Sequence, residues 1–201
     1  ESAGIAAIGA DGAARVHRGM GLVSEIFDEQ AVASLPGDVA VGHTRYSTAG
    51  STVLANAQPM FANTRCGPLS LAHNGNLTNA HELKRELVAS GAIFTSTTDS
   101  EVLVHLIARS NAPTVEGQIR EALARVEGAY SLVISCGREL YAVVDPRGFR
   151  PLLIGKLGAG SIVASETCVF DLVGASVSCE LMPGEFVRIV EGQIEKLAPL
   201  P

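Results

Sequence analysis

Leu69-Ser70-Leu71-Ala72-His73-Asn74-Gly75-Asn76-Leu77 begins as a short apolar run, the pattern of a strand entering a core, and changes abruptly into His-Asn-Gly-Asn. Asn-Gly favours a backbone turn, because both residues tolerate positive φ. A two-residue hairpin is one use of such a turn. No second alternating strand follows, however: Asn79-Ala80-His81-Glu82 has the pattern of a helix start, with Asn79 as N-cap and Glu82 three residues on. The turn is therefore expected at the exit of a buried strand, aiming a side-chain amide and free backbone N–H groups outward. An asparagine N–H beside a glycine N–H is the donor pair that holds a developing oxyanion in acyl transfer. A structural turn would use the same residues, so the decision rests on the rest of the chain.

Working upstream, Val39-Ala40-Val41-Gly42-His43 reads as a buried strand whose end carries Thr44-Arg45-Tyr46-Ser47-Thr48, and a polar loop runs on to Gln58-Pro59. Before it, Ala3 to Gly9 reads as a strand, Asp11-Gly12 as a hairpin turn, Ala14 to His17 as the return strand, and Leu22 to Phe27 as a short amphipathic piece. Downstream, Ala80, Leu83 and Leu87 share one helical face. Thr98-Asp99-Ser100-Glu101 forms a capping-box pattern opening a second, largely buried helix, and Thr114 to Val126 is a third. From Ala129 the period shortens: Tyr130–Ser135, Leu140–Val144, Leu152–Ile154, Ser161–Ala164, Phe186–Val190 and Ile194–Leu197 are β-rich, with a short helix over Thr167–Val173. Strands, helices, then strands joined by hairpin turns indicate an antiparallel, layered α+β domain.

The 201 residues suit one domain, and 47% hydrophobic against 18% charged residues is the composition of a well-buried core. No membrane-length apolar run or signal segment is visible. The net charge of −6, without a local basic cluster, argues against nucleic acid and anionic membrane as partners. The four cysteines, Cys66, Cys136, Cys168 and Cys179, show no metal-ligand spacing and read as reduced thiols of a cytoplasmic protein.

Three polar clusters sit at strand exits or helix entrances. Arg45, in the first, has two uses: a surface ion pair, or a planar fork for a carboxylate. The second is the His73–Asn76 turn. Asp99, in the third (Thr95 to Glu101), either offsets the helix dipole or binds a cationic ammonium group. Together, a carboxylate fork, an acid and an oxyanion pair describe a pocket for a free α-amino acid attacked at its side-chain carbonyl. Glutamine fits best.

Gly42-His43-Thr44-Arg45-Tyr46-Ser47-Thr48-Ala49-Gly50, Asn56-Ala57-Gln58-Pro59, Ala72-His73-Asn74-Gly75-Asn76-Leu77 and Ser96-Thr97-Thr98-Asp99-Ser100-Glu101 resemble the class II glutamine amidotransferases, members of the N-terminal nucleophile hydrolases. Within them the chain is most similar to the amidophosphoribosyltransferase family. Further agreement lies at Glu1–Ile5, His17–Val23, Asp145–Leu152, Ala164–Cys168 and Pro183–Glu185. The sister glucosamine-6-phosphate synthases typically carry Trp in place of Tyr46 and His in place of Gln58.

The resemblance implies a four-layer αββα sandwich of two antiparallel sheets, here lacking its first strand and helix. It implies that Arg45 binds the α-carboxylate of L-glutamine, Asp99 the α-ammonium, and Thr48 lines the pocket. Asn74 (side chain) and Gly75 (backbone N–H) would form the oxyanion hole. The nucleophile in this family is an N-terminal cysteine whose own amine is the general base. Glu1 aligns just beyond that cysteine, and none of the four cysteines can replace it. Residues 1–201 are thus expected to be an N-terminally truncated glutamine amidotransferase domain, inactive alone, without the phosphoribosyltransferase domain that binds phosphoribosyl pyrophosphate. The parent enzyme is expected to supply ammonia, through a cysteinyl thioester, for phosphoribosylamine formation in purine synthesis. It would act as a homo-oligomer, with Mg2+ and, in some members, an iron–sulfur cluster held beyond Pro201; no cofactor is expected in this chain. The alternatives are a naturally truncated, non-catalytic glutamine-binding or partner-binding module, or the glutaminase domain of a sugar-phosphate amidotransferase.

Overall fold

A computed structural model of the chain describes residues 1–46 and 53–201. Its centre is a six-stranded antiparallel sheet in the order β12-β11-β7-β6-β5-β4. The strands are β4 (Met60–Thr64), β5 (Gly67–Leu77), β6 (Gly128–Cys136), β7 (Glu139–Val144), β11 (Phe186–Val190) and β12 (Gln193–Lys196). Strand alternation sorts their side chains to two faces. Leu69, Leu71, Leu132, Ile134, Tyr141, Val143 and Phe186 point to one face and pack with Leu83 and Leu87 of α3 (Ala80–Ala89), Leu103 and Ile107 of α4 (Ser100–Arg109), and Ile119 and Leu123 of α5 (Val115–Leu123). Val133, Ala142, Val144 and Val187 point to the other face, against Leu152, Ile154, Val163 and Leu181. Leu132 and Ile134 are fully buried, and truncating either to Ala would cost about 2–5 kcal/mol.

The second sheet layer consists of two separately hydrogen-bonded three-stranded pieces, β2-β1-β3 and β10-β8-β9. The first contains β1 (Ser2–Ile8), β2 (Ala14–Met20) and β3 (Val39–Arg45), and β3 packs on β5 and β6. The second contains β8 (Leu153–Leu157), β9 (Gly160–Ala164) and β10 (Ser176–Glu180). Outside these lie short helices. α1 (Val23–Ile26) covers β1 and β2, α6 (Cys168–Val173) packs on β10, and α2 (Glu29–Ala33) precedes β3. The layer order is helix, sheet, sheet, helix, in agreement with the α+β sandwich expected.

Several local expectations are corrected. The His73–Asn76 stretch is not a turn: β5 runs straight through it, pairing Asn74 with Ser131, Gly75 with Tyr130 and Leu77 with Gly128. Nine consecutive pairs with β6 outweigh a local Asn-Gly preference. β3 is largely exposed rather than buried, with only Val41 fully covered, because one of its edges and one of its faces lack a neighbour among the described residues. Residues 56–59, read as the end of a polar loop, are all buried. Asn79 caps nothing with its side chain. It donates to the Arg125 carbonyl at 2.9 Å and accepts from the Glu127 N–H at 2.9 Å, fastening α3 to the approach of β6. The Thr98–Glu101 capping box is also not formed. Glu101 reaches back instead to the N–H and hydroxyl groups of Thr95 and Ser96, at 2.6–2.9 Å.

Candidate active site

The site is built on the open edge of β5. β4 pairs with β5 only as far as Met60 and Leu71, and continuing that register by two residues would set residue 58 opposite His73. There the backbone of the chain has turned away and the Gln58 side chain takes its place. Its Oε1 accepts the His73 N–H at 2.8 Å, and its Nε2 donates to the His73 carbonyl at 3.4 Å. Two residues of strand alternate the direction of their peptide groups, so residues 73, 75 and 77 all address this edge. Leu77 bears this out: its N–H is accepted by Asp99 Oδ2 at 2.9 Å. Between the two occupied positions lies Gly75, whose N–H and C=O face the gap and whose backbone is solvent-exposed.

Gly75 is glycine for clearance. A Cβ there would stand 2.0 Å from the Ala129 carbonyl oxygen and 2.7 Å from His73 Nε2. The Asn74 side chain, by alternation, lies on the face opposite His73, toward the β1–β3 sheet, and is half-buried. Asn74 and Gly75 thus present a carboxamide and a backbone N–H at one strand end, the pair the sequence singled out.

Asp99 stands at the mouth of α4 on the helix side of β5, with the His73 Nδ1 at 3.7 Å from its Oδ1. Burial pushes its carboxyl up, but the His73 ring and the N–H groups of Leu77 and Ser100 outweigh burial and hold it below the usual carboxylate range. It is an anion at neutral pH. Arg45 ends β3 opposite Ser2 of β1, half-buried, and shares a face of β3 with His43. The His43 ring donates its Nε2–H to the His73 carbonyl at 3.2 Å, which fixes β3 against β5 one residue from Asn74. Thr48 lies outside the described residues.

Around these groups is a polar network to which sequence reasoning gave no role. Ser100, fully buried, lies 3.1 Å from His73 Nδ1 and accepts from Gln58 Nε2 at 3.2 Å. The fully buried Asn56 clamps Thr97, donating to its hydroxyl at 2.8 Å and accepting its N–H at 2.9 Å. Arg18 of β2 holds the intervening turn through the carbonyls of Ala57 at 3.0 Å and Pro59 at 3.4 Å. The signal was two amides inside a short stretch bounded by apolar Ala57, Pro59 and Met60. Their partners are not readable locally, since the groups they bond lie 15, 41 and 42 residues away.

The thiols lie elsewhere. Cys136 pairs with Leu69 at the far end of the β5–β6 ladder, Cys66 is in the β4–β5 hairpin, and Cys168 and Cys179 are exposed on the opposite side layer. Cys168 has its Sγ 3.5 Å from a Glu166 oxygen. Among the described residues no group of three or more His, Cys, Asp or Glu side chains is arranged to hold a metal ion, and no helix is long and apolar enough to cross a membrane.

The glutamine amidotransferase domain family matches residues 43–171, a span that contains β3, the open edge of β5 and Asp99. The chain belongs to this family. It is 45% identical over 201 residues to the amidophosphoribosyltransferase of Synechococcus elongatus, covering 97% of this chain and 41% of that protein. The solved glutamine phosphoribosylpyrophosphate amidotransferase of Bacillus subtilis, complexed with ADP and GMP, superposes with a TM-score of 0.90 at 41% identity, covering 98% of this chain and 42% of that one. A structure described as the allosteric regulatory enzyme of purine biosynthesis gives a TM-score of 0.93 at 42% identity over the same shares. The chain therefore spans about two-fifths of the length of these relatives, and the glutamine amidotransferase domain accounts for it.

Proposed function

We propose that this chain is the glutamine-binding domain of an amidophosphoribosyltransferase, the part that releases ammonia from L-glutamine for transfer to phosphoribosyl pyrophosphate. The observation that carries the reading is the gap on the β5 edge. There an unobstructed Gly75 N–H lies between Gln58-bound His73 and Asp99-bound Leu77, beside the Asn74 carboxamide. Similarity to amidophosphoribosyltransferases over nearly all of this chain supports the choice of acceptor.

In this reading the Asp99 carboxylate and the Gly75 carbonyl receive the α-ammonium of glutamine, and the Arg45 guanidinium, with Thr48, receives the α-carboxylate. The extended side chain then lays its γ-carbonyl oxygen against the Gly75 N–H and the Asn74 amide. Attack by a thiolate on that carbon moves charge onto the oxygen. Two donors held by a strand ladder stabilise it without reorganising, an effect worth about 3–4 kcal/mol per donor in acyl transfer. Collapse of the adduct expels ammonia and leaves a thioester that water cleaves to glutamate. The four cysteines are remote from this point, so the 201 residues supply binding and oxyanion stabilisation, and the chain alone binds glutamine without hydrolysing it. No cofactor is assigned to these residues. The working enzyme is placed in the cytoplasm as a homo-oligomer, with phosphoribosyl pyrophosphate held by a separate domain.

Titration of the chain with L-glutamine, L-glutamate and D-glutamine tests this. Saturable binding of L-glutamine, weaker for the other two, is expected. Absence of binding, or equal affinity for all three, would overturn the assignment.

A further inference from the structure

We infer that Gln58 is a positioning residue of this site, setting the oxyanion donors and the ammonium-binding carboxylate in one hydrogen-bonded unit. The inference deepens the proposed glutamine site and rests on that reading for its ligand. Its basis is geometric. Gln58 is 6% exposed, and its three side-chain bonds all go to His73 and Ser100. Its carboxamide replaces a strand neighbour on the N–H and C=O of His73, the residue before Asn74, with one acceptor at 2.8 Å and one donor at 3.4 Å. The same Nε2 lies 3.2 Å from the Ser100 hydroxyl, and Ser100 follows Asp99 and approaches its Oδ1 at 3.4 Å. One side chain thereby joins the strand that bears Asn74 and Gly75 to the helix mouth that bears Asp99.

The surroundings leave Gln58 little freedom. Arg18 grips the carbonyls on either side of it, and β1 crosses so closely that a Cβ on Gly4 would sit 2.4 Å from the Gln58 carbonyl oxygen. A carboxamide is also the group the site requires, because it carries an acceptor and a donor side by side, matching the N–H and C=O that one strand residue turns to the same edge. A hydrophobic side chain of equal length would leave the His73 N–H and one Ser100 contact unmet in a buried setting. The edge of β5 would then be free to tilt, and the Gly75 N–H with it.

Two substitutions separate this role from general stability. Gln58→Met keeps the shape and removes all three bonds, to the His73 N–H, the His73 carbonyl and the Ser100 hydroxyl. Gln58→Glu keeps the acceptor for the His73 N–H but, ionised, turns a negative charge toward the His73 carbonyl and Asp99; protonated, it regains a donor. The charged and titratable groups facing this position are Arg18 from β2, His43 from β3, His73 from β5 and Asp99 from α4.

The experiment uses the 201-residue chain, labelled with nitrogen-15, and reads three quantities. These are the amide-exchange rate of His73, the signals of the Gly75 N–H and Asn74 side chain, and the dissociation constant for L-glutamine. For Gln58→Met we expect faster exchange at His73, displaced Gly75 and Asn74 signals, and affinity lowered roughly tenfold, while amides of the Ile154–Val187 cluster stay unchanged. For Gln58→Glu we expect the same defects at neutral pH and recovery toward the wild type below about pH 5, where Gln58→Met shows no recovery. Gly75 and Asn74 signals unmoved in Gln58→Met overturn the inference, as do moved signals with wild-type affinity. If Gln58→Met does not fold, Gln58→Glu decides alone, and absence of recovery on acidification overturns the inference. If the wild-type chain binds no glutamine, the proposed function falls and the spectra by themselves decide whether Gln58 positions the β5 edge.

Discussion

Asp99 Oδ2 accepts the Leu77 N–H at 2.9 Å, so the acid at the mouth of α4 is bonded to the same edge of β5 that presents Gly75. The carboxylate thereby has one short structural bond, while its Oδ1 meets only the longer approaches of the Ser100 hydroxyl at 3.4 Å and His73 Nδ1 at 3.7 Å. Asp99→Asn keeps an oxygen for Leu77 and removes the charge. L-Glutamine affinity is expected to fall roughly ten- to a hundredfold, the range of a lost charge-assisted hydrogen bond, while unfolding free energy changes by less than about 1 kcal/mol. Calorimetric titration beside a urea melt checks both. Unchanged affinity would remove Asp99 from the ammonium site.

The approach of β6 to Gly75 makes a sharper stability prediction. Gly75→Ala would drive a methyl group to 2.0 Å from the Ala129 carbonyl oxygen, a fixed backbone atom. The ladder must open there, at a cost of about 1–3 kcal/mol or more. Gly160→Ala is the control, since its nearest neighbour is the Leu157 oxygen at 3.4 Å; it should change stability by less than about 0.5 kcal/mol. Thermal unfolding of the two variants distinguishes them, and equal melting temperatures would contradict the close approach.

Both features show what the sequence could and could not carry. Asn74 and Gly75 are legible as a candidate oxyanion pair because a side-chain amide beside a glycine N–H is a local pattern. Their setting was misread as a turn because Gly75 serves clearance from Ala129, a residue 54 positions away, rather than a change of chain direction. The helices α3, α4 and α5 and the strands β6, β7 and β11 were legible from period, each burying one face in a single core. Two strands were not. β4 (Met60–Thr64) mixes its burial without alternation, and β10 (Ser176–Glu180) is exposed along its whole length, so neither buries a periodic face. Gln58 and Asn56 lay within a recognised motif, yet an amide does not announce its partner. The caps at Asn79 and Thr98 failed for the same reason: Asn79 finds a better-placed peptide near β6, and Glu101 finds Thr95 and Ser96.

The cysteines can be ranked. Cys168 and Cys179 are exposed, Cys66 is half-buried, and Cys136 is buried with its thiol pushed up to about 11 by burial and by the neighbouring Cys66 and Glu139. An aromatic disulfide reagent should therefore modify Cys168 and Cys179 rapidly and Cys136 only after denaturation, as peptide mass spectrometry would record. Because the exposed pair is remote from β5, glutamine affinity should survive their modification. Loss of binding would place a thiol where the geometry does not.

His43 supplies a pH dependence whose sign follows from burial. Its ring is held neutral, with the folded-state value driven down to about 4 chiefly by desolvation, against 6.5 for an ordinary histidine. Nε2–H donates to the His73 carbonyl, and among the described residues nothing meets its buried Nδ1. The unfolded chain therefore binds a proton on His43 between pH 6.5 and about 4 that the folded chain refuses. Stability is at its full value above that window and is lost as pH falls through it, by about 3 kcal/mol at most. His43→Gln keeps a donor for the His73 carbonyl and cannot titrate. The difference in unfolding free energy between wild type and variant should shift steadily toward the variant on acidification through this window. His105, also lowered by burial, titrates equally in both chains and cancels in that difference. A difference that stays constant with pH would mean that the His43 ring takes up its proton as readily in the folded protein as in the unfolded chain, against the lowering by burial.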